Sequence, residues 1–282
     1  MTSTTRDTRA RHGGPDALDL LGRLTERDLL ILATLADHQA LTTAQVTDLA
    51  FGSLRAAQQR LATLTRLGAV GRFRRTLPAG SEPWKYYLAP VGAALIAAGR
   101  GQPPPAPAKV RARAVALAAS PRLGHLLGVN GFFTALAAAA RASGGTCALT
   151  DWWSERRCAA EYGDIVRPDG YGTWTCHGQA TGFFLEYDNA TETTARAAAK
   201  LAQYADLATA EETPVLVLFW LPSPAREAAL RPALARAATG AVAVATATPA
   251  HGCPAGPVWL VLHATRRRPL DQIPAGLLPP AR

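Results

Sequence analysis

Two short stretches hold side chains whose types and spacing could do chemistry. One is Arg167-Pro168-Asp169-Gly170, and the other is Phe183-Phe184-Leu185-Glu186-Tyr187-Asp188. A carboxylate ends one apolar segment and an acidic pair emerges from the next. If neighbouring β-segments bring Asp169 and Glu186 together, their oxygens can hold a hard divalent ion such as Mg²⁺. Hydrolysis of a phosphodiester builds negative charge on oxygen, and two carboxylates with a metal and a nearby cation suit that task. Asp188 could add a ligand or a base. Lys200 could add the ammonium, and with Tyr204 four residues on it shares a helix face. The plainer reading stays open: Pro-Asp-Gly is a common turn tripeptide, and Glu186 and Asp188 could be edge charges.

Such a constellation needs a sheet to position it. Residues 148–153 suggest a strand or a helix edge, while 171–176 and 182–187 suggest paired strands. Residues 194–210 form an Ala-rich helical pattern. The continuous apolar run 215–221 marks a buried central strand. A helix over 225–238 and strands over 241–247 and 258–262 follow. A helix over 122–141, carrying Leu126, Val129, Phe132, Phe133 and Leu136, precedes them. Strands alternating with helices imply a mixed sheet covered by helices, an α/β class with α+β character overall.

The first third is organised differently. Thr25 with Asp28 three residues on is a capping-box start, and Leu29, Leu32, Leu35 and Ala36 give one apolar face. A second short helix starts at residues 41–45 with Val46 and Leu49 inward. Ser53 caps a third, which stops at Gly68. On the third, Leu54, Ala57, Leu61 and Leu64 share one quadrant, and Arg55, Gln59, Ala62 and Arg66 lie opposite. Residues 70–75 and 84–88 then pattern as a hairpin carrying Arg72, Arg74, Arg75 and Lys85. Three helices and a basic hairpin describe a winged helix-turn-helix. Its third helix would enter the major groove of double-stranded DNA, with Arg55, Gln59 and Arg66 within reach of bases or phosphates and the hairpin cations on the backbone. A small helical domain with a solvated polar face, or a winged helix used for protein contacts, is the plainer alternative.

The chain divides into a disordered tail over 1–20, this module over 21–100, a proline-rich linker over 101–110, an α/β domain over 111–265 and a basic tail or lid over 266–282. The formal net charge is +9, and it is uneven: residues 1–113 hold 16 Lys+Arg against 8 Asp+Glu, and the remainder 14 against 13. The excess lies where a phosphate backbone would bind. Cys147, Cys158, Cys176 and Cys253 are scattered with no C-x-x-C pair, which argues against a zinc site and a disulfide framework. No apolar run approaches the ~18–20 residues a bilayer span needs, so no membrane partner is expected and a cytoplasmic protein with reduced thiols is the default. No Walker or dinucleotide loop is present. His125 and Asn130 fit packing or capping better than catalysis. His177 and His251 lack metal-spaced partners, Trp152-Trp153 fits a core, and Arg266-Arg267-Arg268 fits a solvated run.

The order Pro168-Asp169, one hairpin, Glu186-x-Asp188 resembles the PD-(D/E)xK nuclease superfamily. The resemblance implies that Asp169 and Glu186 ligate Mg²⁺. The family's Lys two residues after the Glu is replaced here by Asp188, which leaves Lys200, or Asp188 itself, to fill the gap, and Glu155 as an upstream carboxylate. The Lys200-x-x-x-Tyr204 spacing is similar to a Gln-x-x-x-Tyr helix of some exonucleases in that superfamily. Residues 24–210 also resemble the replication-relaxation family of actinobacterial plasmids and integrative elements. That likeness rests on Leu24-Thr25-Glu26-Arg27-Asp28, Leu64 to Val70, Tyr86 to Pro90, His125 with Val129-Asn130, and the acidic segments with Lys200 to Tyr204. It implies a DNA-binding protein of a mobile element, acting in replication, relaxation or transfer beside that element's own proteins. A non-catalytic transcriptional regulator and an active Mg²⁺-dependent endonuclease are the other readings. Oligomeric state is not indicated.

Overall fold

The computed structural model describes residues 22–75 and 80–273. The expected tail over 1–20 and the hairpin tip at Pro78 lie outside them. Helix α1 (Glu26–His38) starts at a capping box in which Thr25 accepts from the Asp28 amide and Asp28 accepts from the Thr25 amide. Arg60 grips the same buried carboxylate from α3 (Leu54–Arg66), so the cap also fastens two helices together. Between them lie β1 (Ala40–Thr42) and α2 (Thr43–Ala50), the latter opened by a second capping box, Thr42 with Gln45. Strands β2 (Val70–Phe73) and β3 (Lys85–Leu88) follow, and the sheet order is β1-β3-β2, antiparallel throughout. Strand β1 has only three residues and was not expected. Its side chains instead complete the core of Ile31, Leu35, Leu41, Val46, Leu61, Leu64 and Tyr86. Leu54, placed on the apolar side by its phase, is 49% exposed at the helix start.

Helix α4 (Pro90–Gly99) leads into a proline stretch that is shorter than expected, because α5 (Pro107–Ala119) begins inside it. Pro107 sits at the first helical position, where its missing N–H is no loss. Helix α6 (Leu123–Ala142) is long and apolar enough to cross a membrane, with mean hydropathy 1.4, although no single apolar run in the sequence is. Here it is packed: Val129, Phe132, Phe133 and Leu136 are buried in the core.

The remaining elements are β4 (Cys147–Ser154), α7 (Glu155–Tyr162), β5 (Gly170–Cys176), β6 (Gln179–Tyr187), α8 (Thr194–Ala210), β7 (Val215–Trp220), α9 (Pro224–Ala237), β8 (Val242–Ala247) and β9 (Leu260–Val261). They form one mixed six-stranded sheet in the order β4-β5-β6-β7-β8-β9. The β4–β5–β6 and β8–β9 pairings are antiparallel; β6–β7 and β7–β8 are parallel, each bridged by a helix. The fold is a mixed α/β one. Alternation along β7 explains its unbroken apolar run. Val215, Val217 and Phe219 face α8 and α9, and Leu216, Leu218 and Trp220 face the α6 side.

Two expectations on the C-terminal side fail. Residues 266–273 are not loose: Trp259 and Arg268 bridge, Leu270 is fully buried, and Arg267 grips the buried Glu227 of α9 with both terminal nitrogens. Cys147 and Cys176 face each other across β4 and β5 and form a disulfide. Thiols far apart in sequence become neighbours because the two strands are antiparallel.

Helix α6 also joins the two parts of the molecule. Asn130, fully buried, donates to the carbonyls of His38 and Ala40. Gln45 of α2 donates to the Leu127 carbonyl, and Arg141 donates to those of Phe51 and Asp48. Beside them His38 stacks on Trp152, ring centroids 3.8 Å apart, and Phe133 stacks on the same indole at 5.3 Å.

Candidate functional site

Gly170 pairs with Leu185 at the end of the β5–β6 ladder, so Asp169, just before β5, and Glu186 of β6 come together at this end of the sheet. Pro168-Asp169-Gly170 is therefore a strand entry, and the Asp169 amide donates to the Leu185 carbonyl. The two carboxylates open into a cleft of about 630 Å³ at this end of the sheet. Its walls include the start of α6, the segment after β6 and the first half of α8. Close approach needs two glycines: a Cβ at Gly170 would fall 2.8 Å from the Phe133 ring of α6, and one at Gly128 would fall 2.4 Å from the Tyr187 ring.

Glu186 is 3% exposed. Lys200 Nζ lies 2.6 Å from its Oε2, and the Tyr204 hydroxyl donates to its Oε1 at 2.6 Å. The one-turn spacing on α8 thus delivers both donors to one carboxylate. Burial, then the nearby Asp169 charge, push the Glu186 pKa up to about 7, against the pull of Lys200 and Tyr204. Burial works to lower the Lys200 pKa, but the Glu186 charge and hydrogen bond outweigh it and the value is raised. Burial and the same carboxylate hold the Tyr204 phenol well above its ordinary value.

Asp169 accepts from the Tyr187 amide at Oδ2 (2.8 Å), and His125 Nε2 lies 2.9 Å from Oδ1. The hydrogen bond to Asp169 raises the His125 pKa, partly offset by burial. The other ring nitrogen, Nδ1, meets Asn189 Nδ2 at 3.2 Å. Sequence reasoning missed His125 as a cleft residue. The signal was there in its position near the start of an apolar helix, but nothing in the sequence says that this end abuts Asp169.

The other expected residues divide. Asp188 borders the cleft, yet its Oδ2 is held 2.7 Å from Arg226 Nε of α9. Glu155 is bound to Arg122 rather than to the carboxylate pair. In the N-terminal module Arg55, Gln59 and Arg66 are exposed along α3. Arg72, Arg74 and Arg75 are exposed on the hairpin, and the first two guanidiniums each lie 4.2 Å from the Trp84 ring centre. Lys85 differs: it is buried and paired with Glu82.

For Mg²⁺ the donor set fits in kind. Asp169 and Glu186 share one cleft, and burial together with the Asp169 charge penalises ionising Glu186, a conflict that a divalent cation relieves. Mg²⁺ commonly takes one or two carboxylates and keeps waters elsewhere. Asp169 and Glu186 are the residues that would hold it.

A basic-faced three-helix module packed against a helix-covered mixed sheet, with an acid–base cleft at the sheet's end, defines the class of this molecule. The family model described as replication-relaxation matches residues 32–215, and the chain belongs to that family. No curated protein and no solved structure matches it. Membership indicates a part in plasmid replication or relaxation.

Proposed function

We propose that this is a DNA-binding protein of a plasmid or other mobile element, in which the N-terminal module holds double-stranded DNA and the cleft is a nuclease-like phosphodiester site. The observation that carries the reading is the meeting of Asp169 and Glu186 in one cleft with Lys200 Nζ 2.6 Å from Glu186. Carboxylates, ammonium and imidazole thereby meet in one cleft, the groups that phosphoryl chemistry uses. The helix–strand–helix–helix–hairpin order, with β1 added to the hairpin, supports a winged helix-turn-helix. The strand pairing around Asp169 and Glu186 supports a PD-(D/E)xK-like domain, with Lys200 supplying from α8 the cation that Asp188 does not. Bound Mg²⁺ would supply charge neutralisation and an activated water. Lys200 would face charge developing on the phosphoryl oxygens. His125, oriented by Asp169, would stand where a proton must be passed. A DNA partner goes with a cytoplasmic location and with replication or transfer proteins of the same element.

A second reading rests on a specific observation: each oxygen of Asp169 and Glu186 already has a protein partner. A cleft so balanced without an ion suits a degenerate, non-catalytic regulator. The experiment is incubation with supercoiled plasmid and Mg²⁺ or Mn²⁺. Nicking that Asp169→Ala and Glu186→Ala abolish, with DNA binding retained, is the expected result. Binding without cleavage by the wild-type protein with either ion leaves the regulator.

A further inference from the structure

The opposite end of β5 carries a different group of side chains. Cys147 opens β4 and Cys176 closes β5, directly opposed with Cα atoms 4.1 Å apart. The His177 amide donates to the Thr146 carbonyl just beyond, so the cysteines occupy a position without mutual backbone bonds, where cross-strand side chains come closest. His177 and Gly178, at φ 51° and 77°, form the two-residue turn into β6. Asp271 arrives from the short turn Leu270–Gln272, anchored by the buried Leu270 and Ile273. One ligand atom from each of Cys176, His177 and Asp271 lies within 4.8 Å of the others, the only such group of three among the described residues. The Cys147 sulfur, bonded to that of Cys176, borders this group without lying within 4.8 Å of all three ligand atoms, and side-chain rotation after reduction is what would bring it in as a fourth donor.

We infer that, with the disulfide reduced, Cys147, Cys176, His177 and Asp271 form a zinc site. A thiol or phosphine reductant supplies two electrons, the sulfur–sulfur bond breaks, and two protons give two thiols. Zn²⁺ then displaces both thiol protons, and binds the neutral imidazole of His177 and the carboxylate of Asp271. Two Zn–S bonds of about 2.3 Å at a tetrahedral angle require the sulfurs to part to roughly 3.8 Å, a movement that rotation of two facing side chains can supply. Two thiolates and an imidazole select a borderline-soft ion over Mg²⁺ or Ca²⁺, and four protein ligands make a closed, structural site. The ion would tie the β5–β6 turn to the segment that seals the α6 face of the sheet. Disulfide and zinc are mutually exclusive on the same sulfurs, so occupancy would follow the thiol redox state. The site is independent of the acidic cleft, which lies roughly 20 Å away along seven residues of extended strand.

The test is titration of the full chain, reduced with a phosphine and stripped by chelator under anaerobic conditions. Zn²⁺ is added against a chromogenic competitor, and Co²⁺ is added as a spectroscopic count of thiolate ligands. The reduced protein should take one equivalent with two sulfur ligands that the oxidised protein does not take. His177→Ala and Asp271→Asn, both at accessible positions, should each weaken zinc by about tenfold or more, at least the loss that removing even an outer-shell partner causes. Cys253→Ser and Glu186→Gln should leave it unchanged. No zinc uptake by the reduced chain overturns the assignment. So does an affinity indifferent to His177 and Asp271, or one that falls with Glu186→Gln and so belongs to the cleft.

Discussion

Acid should loosen the joint between the two parts of the molecule through His38. Its ring is 4% exposed, stacked on Trp152, and its Nδ1 has no hydrogen-bond partner. Burial lowers its pKa from 6.5 to about 4, with the nearby Asp37 opposing the shift and Arg156 adding to it. The folded value lies below the unfolded one, so the stabilisation is complete above 6.5 and is lost as pH falls through about 4. At about 1.4 kcal/mol for each pH unit, that interval corresponds to about 3 kcal/mol. His38→Phe keeps a flat ring against the indole and removes the titration. Urea unfolding, followed by tryptophan fluorescence across this range, gives the free energies of both proteins. Other groups titrate too, but they are common to both chains and cancel in the difference. The wild-type protein should lose about 3 kcal/mol more than the variant on acidification. Parallel curves would refute the reasoning, because they would mean that His38 accepts its proton as readily in the folded joint as in water.

Arg72→Ala with Arg74→Ala should flatten the plot of log affinity for DNA against log salt by about 0.9 for each phosphate the hairpin no longer neutralises; an unchanged slope would remove the hairpin from the interface. Asn130→Ala strips the donor from the His38 and Ala40 carbonyls. Denaturant unfolding should register a loss of about 2 kcal/mol or more, and a loss near zero would mean that water replaces the amide. Arg267→Met leaves the buried Glu227 without its paired guanidinium, at a cost of about 3–5 kcal/mol. Adding Glu227→Gln should restore much of that stability, and failure to do so would show that packing rather than charge holds the segment.

The long elements were legible because each has a period of its own. Helix α8 was expected over its observed residues, and β7 declared itself by a run that only a strand buried on both faces needs. The acidic pair was legible as well, since opposed strands joined by a short turn fix register. What escaped was decided by tertiary contact. Strand β1 is too short to show alternation, and α5 starts at a proline that resembles linker. Lys85 looks free in sequence, yet it turns inward to Glu82. Arg267 looks like one of three solvated cations, but a buried carboxylate on α9 claims it. His125 needed the end of α6 to be laid against β5, and Cys147 needed its antiparallel partner. Neither is a property of any local stretch.

Because Asn130 and Arg141 clasp the N-terminal module along the same rod that presents His125 to the cleft, the proline stretch before α5 is not a hinge. The N-terminal module and the cleft behave like the jaws of a caliper with a locked gap, and lengthening the tether between them would leave that interval untouched.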